Sequence, residues 1–360
     1  MPISSTVKSL FSKSRLLETG YPTVTLNESE LYGLLALICS DLGWEIAALG
    51  LPVPALELPH NNYYQIPLEW FSAHQAPPDI HLLLSALAAG IEVDDDFGLY
   101  FLNLCSFHKR RLKFQKILHH QPKPTMDQVG PRGLLEYGIC DNELLNSWLI
   151  WRKWVFDIDN RSGQETGYMF EPILASCLGG EAVGSANSPV KRIDEAGIPK
   201  TTGRQVDCYI GAENVAYEFK IRVTIAASGQ GRWGEELSFP RECRAAGITP
   251  ILIVLDPTTS ARLTELAQVF RNHGGIVHIG EQAWTHLEEK AGAIMAHFID
   301  NYIKPPLSAM NQFDTSQIGS LKLTWEKDRI TIEGASSSYH IDRKSSFPQN
   351  EATEDVLPDQ

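Results

Sequence analysis

The stretch GRQVDCYIGAENVAYEFKIR, residues 203–222, constrains this chain more than any other. It reads as two short apolar β-type runs joined by the polar loop GAEN (211–214), the pattern of a tight hairpin. With that loop, Asp207 falls opposite Glu218. Alternation sends Val215, Tyr217, Phe219 and Ile221 to one face and Ala216, Glu218, Lys220 and Arg222 to the other. Asp207, Glu218 and Lys220 therefore converge on one patch of sheet. Two facing carboxylates repel and desolvate badly unless a cation sits between them. Hard oxygen donors with room for water suit Mg²⁺. A neighbouring ammonium can orient a water or stabilise charge developing on a phosphate.

Asp followed at a distance by Glu-x-Lys is a weak motif by itself. The chain carries its own control. Glu288 and Lys290 also match Glu-x-Lys, but they lie in a helical pattern where a solvated face explains them. The first match is set in two β-type runs and is followed by a further apolar strand. Its bland alternative is a buried ion pair of Lys220 with one acid, which leaves the other acid unexplained. Glu171, in the helix before the hairpin, is a candidate fourth member of the site. Pro172 behind it suits a first helical turn or a kink. Glu165, one turn too far to share that face, ranks below it.

From Gly163 onward, helical and β-type patterns alternate. A helix over 164–180 ends at a Gly pair, the hairpin follows, and then comes the Gly-rich loop SGQGRWG (228–234). TPILIVLD (249–256) has the unbroken apolarity of a buried parallel strand. Further helices alternate with the strand IVHIG (276–280). The fold class expected is α/β, a mixed sheet flanked by helices, after a mainly helical region over 1–160. In that region, Asn27 and Glu30 have capping-box spacing. Two long helices are expected, around 95–120 and 132–158. The core would occupy 161–305, with a small hairpin at 306–334 and a disordered polar tail at 335–360.

The hydrophobic fraction of 43% is that of a globular protein with a real core, and no apolar run is long enough to span a bilayer. The N-terminus has no apolar leader segment, so an unprocessed, cytoplasmic protein is expected. Six scattered cysteines without metal spacing read as buried free thiols. A net charge of −13 excludes indiscriminate attraction to nucleic acid, though not a focused basic cleft. The helix over 108–124 carries Lys109, Arg110, Arg111, Lys113, Lys116 and Lys123 with no acid among them. Apolar residues interleave there, so one face can bury while a basic face remains. Walker and Rossmann phosphate loops are absent.

On Asp207, then Glu218-Phe219-Lys220, on a hairpin after a helix bearing Glu171, the chain resembles the PD-(D/E)XK nuclease core, with Val206 in place of the usual proline. The segments YEFKIRVTIAASGQGRWGEELSFP and GITPILIVLDPT resemble ApaLI-like type II restriction endonucleases. The resemblance implies Mg²⁺ held by Asp207, Glu218 and the backbone carbonyl of Phe219, with Glu171 through water. Lys220 would position or activate the attacking water, and the cut would leave a 5′-phosphate and a 3′-hydroxyl. It further implies double-stranded DNA with a short palindromic site, a homodimer, a prokaryotic host and a cognate DNA methyltransferase as genetic partner. G-T-G-C-A-C is a first site to try.

DNA contacts would come from Ser228, Gln230 and Arg232 after the catalytic strand, and from Lys191, Arg192, Lys200 and Arg204 around the first strand. The basic helix, with Lys109, Arg110, Arg111 and Lys113, is a further candidate. Alternatives are a structure-specific or repair nuclease of the same superfamily, or a catalytically inactive DNA-binding relative.

Overall fold

The computed structural model describes residues 3–17, 23–59, 63–74, 77–194, 196–221, 230–256, 258–312, 319 and 321–344. The helical half is built on α1 (Ser5–Arg15), α2 (Glu28–Leu42), α3 (Ile80–Val93), α4 (Phe97–His120), α5 (Met126–Arg132) and α6 (Glu143–Cys177). The capping box opens α2: Glu30 donates its N–H to Asn27 Oδ1 at 2.9 Å, and Asn27 returns its own to Glu30 Oε2 at 2.7 Å.

The single helix expected over 132–158 is interrupted. A π turn over Gly133–Tyr137 ends at Gly138, whose φ of 71° places it in the left-handed region. Asn142 then caps a new start by accepting the Leu145 N–H. From there α6 runs unbroken to Cys177, so the helix expected over 164–180 is its last third, and a boundary at 160 falls inside it. Neither Gly163 nor Pro172 stops it, because α6 is clamped against α4. Phe170 stacks on Phe107 at 5.5 Å, and Glu165 pairs with Lys113 at 2.5 Å. The helix does close at the expected Gly pair. Gly180 donates to Ala175 O, and a Cβ on Gly180 would lie 2.4 Å from Cys208 Sγ, so only glycine lets α6 end against the sheet.

The second half contains β1 (Glu181–Val183), β2 (Lys191–Ile193), β3 (Pro199–Gly203), β4 (Val206–Ile210), β5 (Val215–Lys220), α7 (Gln230–Ala245), β6 (Thr249–Val254), α8 (Ala261–Asn272), β7 (Ile276–Ile279), α9 (Glu281–Lys290) and α10 (Ala293–Tyr302). The main sheet has the order β1-β4-β5-β6-β7, antiparallel from β1 to β5 and parallel beyond. This is the mixed, helix-flanked sheet expected. Before the hairpin lies the small antiparallel pair β2-β3, and the Gly-rich loop yields to helix from Gln230 onward.

The sheet's two faces bury different cores. Tyr217, Phe219, Ile251 and Ile253 join Phe107, Leu174, Trp284 and Phe298 of the helical side. Ala216, Leu252 and Val254 meet Phe239 and Cys243 of α7 and Leu266 and Phe270 of α8. The first core draws on both halves of the chain, so the helical region and the sheet share one interior.

At the C-terminus, β8 (Lys322–Trp325), β9 (Arg329–Glu333) and β10 (Ser338–Asp342) form a three-stranded antiparallel sheet. The expected hairpin thus gains a third strand from the segment expected to be a disordered tail. Ile341 lies opposite Ile330, and both bury against Leu118, Trp154 and Ile158, which gives that strand a core to join. Residues 345–360 lie outside the described residues. Five cysteines are buried as expected; Cys140, in the turn before α6, is exposed. Among the described residues no helix is long and apolar enough to cross a membrane.

Candidate active site

The β4–β5 hairpin has the register its loop demands. Ile210 pairs with Val215 and Cys208 with Tyr217, a ladder whose next step sets Asp207 beside Glu218. The turn is tightened by Asn214, the one non-glycine residue with positive φ among those described, at 55°. Phe219 donates its N–H to Asp207 Oδ2 at 2.9 Å. Lys220 Nζ donates to Glu218 Oε1 at 2.8 Å. Lys220 gives its carbonyl to the Leu255 N–H on the β6 side. The Phe219 carbonyl, one residue back along the pleat, therefore faces Asp207.

The electrostatics show how crowded this patch is. Burial, then Glu218 and Glu171, push the Asp207 carboxyl well above its ordinary range. Glu171 is also raised, by burial and by Glu218, with Lys220 pulling the other way. For Lys220, burial alone would lower the pKa, but the Glu218 and Glu236 carboxylates outweigh it and raise it. The two carboxylates thus favour the charged form of Lys220, which donates to Glu218. Carboxylates that raise one another's proton affinity form a hard-oxygen donor set that a divalent cation would relieve. Among the described residues no three His, Cys, Asp or Glu side chains are drawn together as a ready-made metal cage. The residues nonetheless fit a cation held partly through water, because Phe219 and Lys220 occupy one oxygen each of Asp207 and Glu218.

Asp207, Glu218, Phe219 and Lys220 are thus brought together, while Glu171 acts on them only through its charge. The DNA-contact candidates fare differently. Lys109 is buried, donates to Lys13 O and Leu16 O, and is pushed down to about 8, chiefly by burial. Lys113 is buried on Glu165. Arg111 donates to the carbonyls of Tyr63 and Ile66, and half-buried Arg110 lies over the Phe107 ring. The reason is that α4 is packed by α1, α2, α3 and α6 together, so Lys109 and Lys113 face protein while Lys116 stays exposed. Lys109 and Lys113 of the face expected for DNA are therefore enclosed in the protein. Arg204 is likewise buried, on Glu242 Oε2 at 3.2 Å and Glu235 O at 2.5 Å, and drops out as a phosphate clamp. Arg192 pairs at the surface with Glu235, Lys191 is half-buried, and Lys200 is exposed. Gln230 and Arg232 stand in the first turn of α7, and Ser228 lies outside the described residues.

One site residue was not singled out from sequence. Glu236, on α7, comes within 3.4 Å of Lys220 Nζ through its Oε1. The available signal was its place in the helix after the Glu-x-Lys strand, but Glu235 beside it carried the same signal.

A mixed sheet covered by helices on both faces, with an acidic and lysine cluster at the hairpin, is the architecture of an α/β restriction endonuclease. The family model for ApaLI-like restriction endonuclease matches residues 63–304. The chain is 45% identical over 306 residues, covering 83% of itself and 80% of the relative, to the "Type II restriction enzyme ApaLI" of Acetobacter pasteurianus. It belongs to the ApaLI-like restriction endonuclease family. No solved structure matches it.

Proposed function

We propose that this chain is a Mg²⁺-dependent endonuclease that cuts both strands of a short palindromic DNA site, leaving 5′-phosphate and 3′-hydroxyl ends. The observation that carries this reading is the convergence of Asp207, Glu218 and Lys220 on one hairpin, with the Glu171 carboxyl raised by burial and by Glu218. Asp207, Glu218 and the Phe219 carbonyl would hold the cation, with Glu171 through water. Mg²⁺, when bound, supplies positive charge against the charge that develops on the phosphodiester. Lys220, kept cationic, donates hydrogen bonds that aim the attacking water in line with the leaving 3′-oxygen and steady the phosphate.

A double-strand cut needs two such sites, and each chain carries one. We therefore infer a homodimer, supported by a broad apolar surface on the π turn and the start of α6. Leu134, Leu135, Ile139, Leu144, Trp148 and Phe156 are exposed there, Leu135 at 83% and Leu144 at 80%. Trp148 donates to Tyr137 Oη, which joins the turn and the helix into one face. Phosphate contacts fall to Lys191, Arg192 and Lys200, and base reading to the segment holding Ser228, Gln230 and Arg232. A cognate methyltransferase in the same prokaryotic cytoplasm would protect host DNA.

The test is digestion of a fully sequenced plasmid with Mg²⁺, including copies of G-T-G-C-A-C, and sequencing of the ends. Discrete fragments sharing one palindrome support the reading. A ladder from shape-specific cutting, or intact plasmid from an inactive binder, overturns it.

A further inference from the structure

We propose that Glu236 is the positioning residue for Lys220, holding the ammonium in place when Glu218 turns to the cation. The inference rests on the nuclease reading above. In the resting structure Lys220 Nζ lies between two acids, 2.8 Å from Glu218 Oε1 and 3.4 Å from Glu236 Oε1. All three side chains are largely buried. Glu218 has two claims on it. A carboxylate that neutralises a divalent cation attracts an ammonium less strongly and gives up a lone pair to the metal. Lys220 would then lose its shorter contact at the stage when its direction matters.

Glu236 can take over that contact without moving its backbone. It projects from α7, which packs through Phe239 and Cys243 on the same sheet face as Ala216, the face of Glu218 and Lys220. Its Oε1 already touches Nζ, and its Oε2 is buried with no hydrogen-bond partner. Buried side-chain oxygens nearly always have a donor. Lysine has three N–H groups on one nitrogen, so a small swing from Glu218 brings two of them onto the two oxygens of Glu236. The orphaned oxygen is the seat that Lys220 occupies once the cation has claimed Glu218. α7 supplies the rigidity, since a helix packed on the sheet holds a carboxylate more exactly in place than a loop would.

Two variants and three readouts test this. Glu236→Gln keeps the shape and removes the charge; Glu236→Asp keeps the charge and draws it back by one methylene. Each is measured for the single-turnover cutting rate of a plasmid carrying the site, for half-saturating DNA and Mg²⁺, and for plasmid binding in Ca²⁺. The expected result for Glu236→Gln is a cutting rate reduced on the order of 100-fold, with both half-saturation values and Ca²⁺-supported binding unchanged. Glu236→Asp recovers part of the rate.

A cutting rate within about twofold of the parent overturns the proposal. So does a rise in half-saturating Mg²⁺, which would make Glu236 a cation ligand, and so does a rate loss matched by lost DNA binding. If Glu236→Gln does not fold, Glu236→Asp decides: slowed cutting with unaltered Mg²⁺ dependence supports the proposal, and parental cutting overturns it. The parent and Lys220→Ala serve as controls for the underlying reading. A parent that never cuts overturns both claims. A parent that cuts, a dead Lys220→Ala and a fully active Glu236→Gln remove only the role of Glu236.

Discussion

The N–H of Phe219 donates to Asp207 Oδ2 at 2.9 Å, so one hydrogen bond continues the β4–β5 ladder and fixes a site carboxylate. Where backbone pairing would end, the Asp207 side chain takes its place. The charged residues inside these strands are therefore part of what sets the strands' geometry.

Lys220→Ala should lower DNA cleavage by roughly a hundredfold to a thousandfold, the usual loss when one aimed donor is removed. Binding of the same DNA in Ca²⁺ should be unchanged, since Ca²⁺ is larger and activates water poorly. Parallel cleavage and gel-shift assays measure both. Undiminished cleavage would falsify the site assignment.

Asp207→Asn should abolish cleavage and yet raise the thermal midpoint of the metal-free protein. Asn keeps an oxygen for the Phe219 N–H and removes a buried charge that Glu218 and Glu171 oppose. The sign for pH follows from the raised folded-state pKa. Stability from neutral Asp207 is present below its unfolded pKa and is lost as pH rises through its folded pKa. Mg²⁺ competes with that proton, so the rise in midpoint that it produces should grow as the pH is raised. Scanning calorimetry with and without Mg²⁺ checks this; a pH-independent increment would contradict it.

Arg204→Ala should act on stability and leave DNA affinity alone. Its partner Glu242 would be left as a buried, unpaired charge, at a cost of about 3 kcal/mol. The salt dependence of DNA binding should keep its slope, whereas loss of a phosphate contact would reduce it by about one. Unfolding in urea and a salt titration of binding separate the two readings.

Leu144→Asp should convert a dimer to a monomer without unfolding it, because the side chain is 80% exposed in the single chain. Light scattering on parent and variant reads the mass directly. A parent that is already monomeric at micromolar concentration would remove the apolar face from the dimer argument.

The sequence by itself determined what is local. The loop GAEN and strict alternation set the hairpin register, and with it the meeting of Asp207, Glu218 and Lys220, because strand periodicity and loop length act over a few residues. The Asn27 capping box, the Gly179-Gly180 helix end and the apolar strand β6 were legible for the same reason. Only the tertiary structure decided the fate of charges whose partners are distant in sequence. Lys113 finds Glu165 and Lys109 the carbonyls of α1's end, so part of a basic helix face became core. Arg204 finds Glu242, and Glu236 reaches Lys220 from a helix that no strand rule could orient. Whether a charged side chain reads as surface or interior depends on what packs over it, and that is a property of the assembled layers.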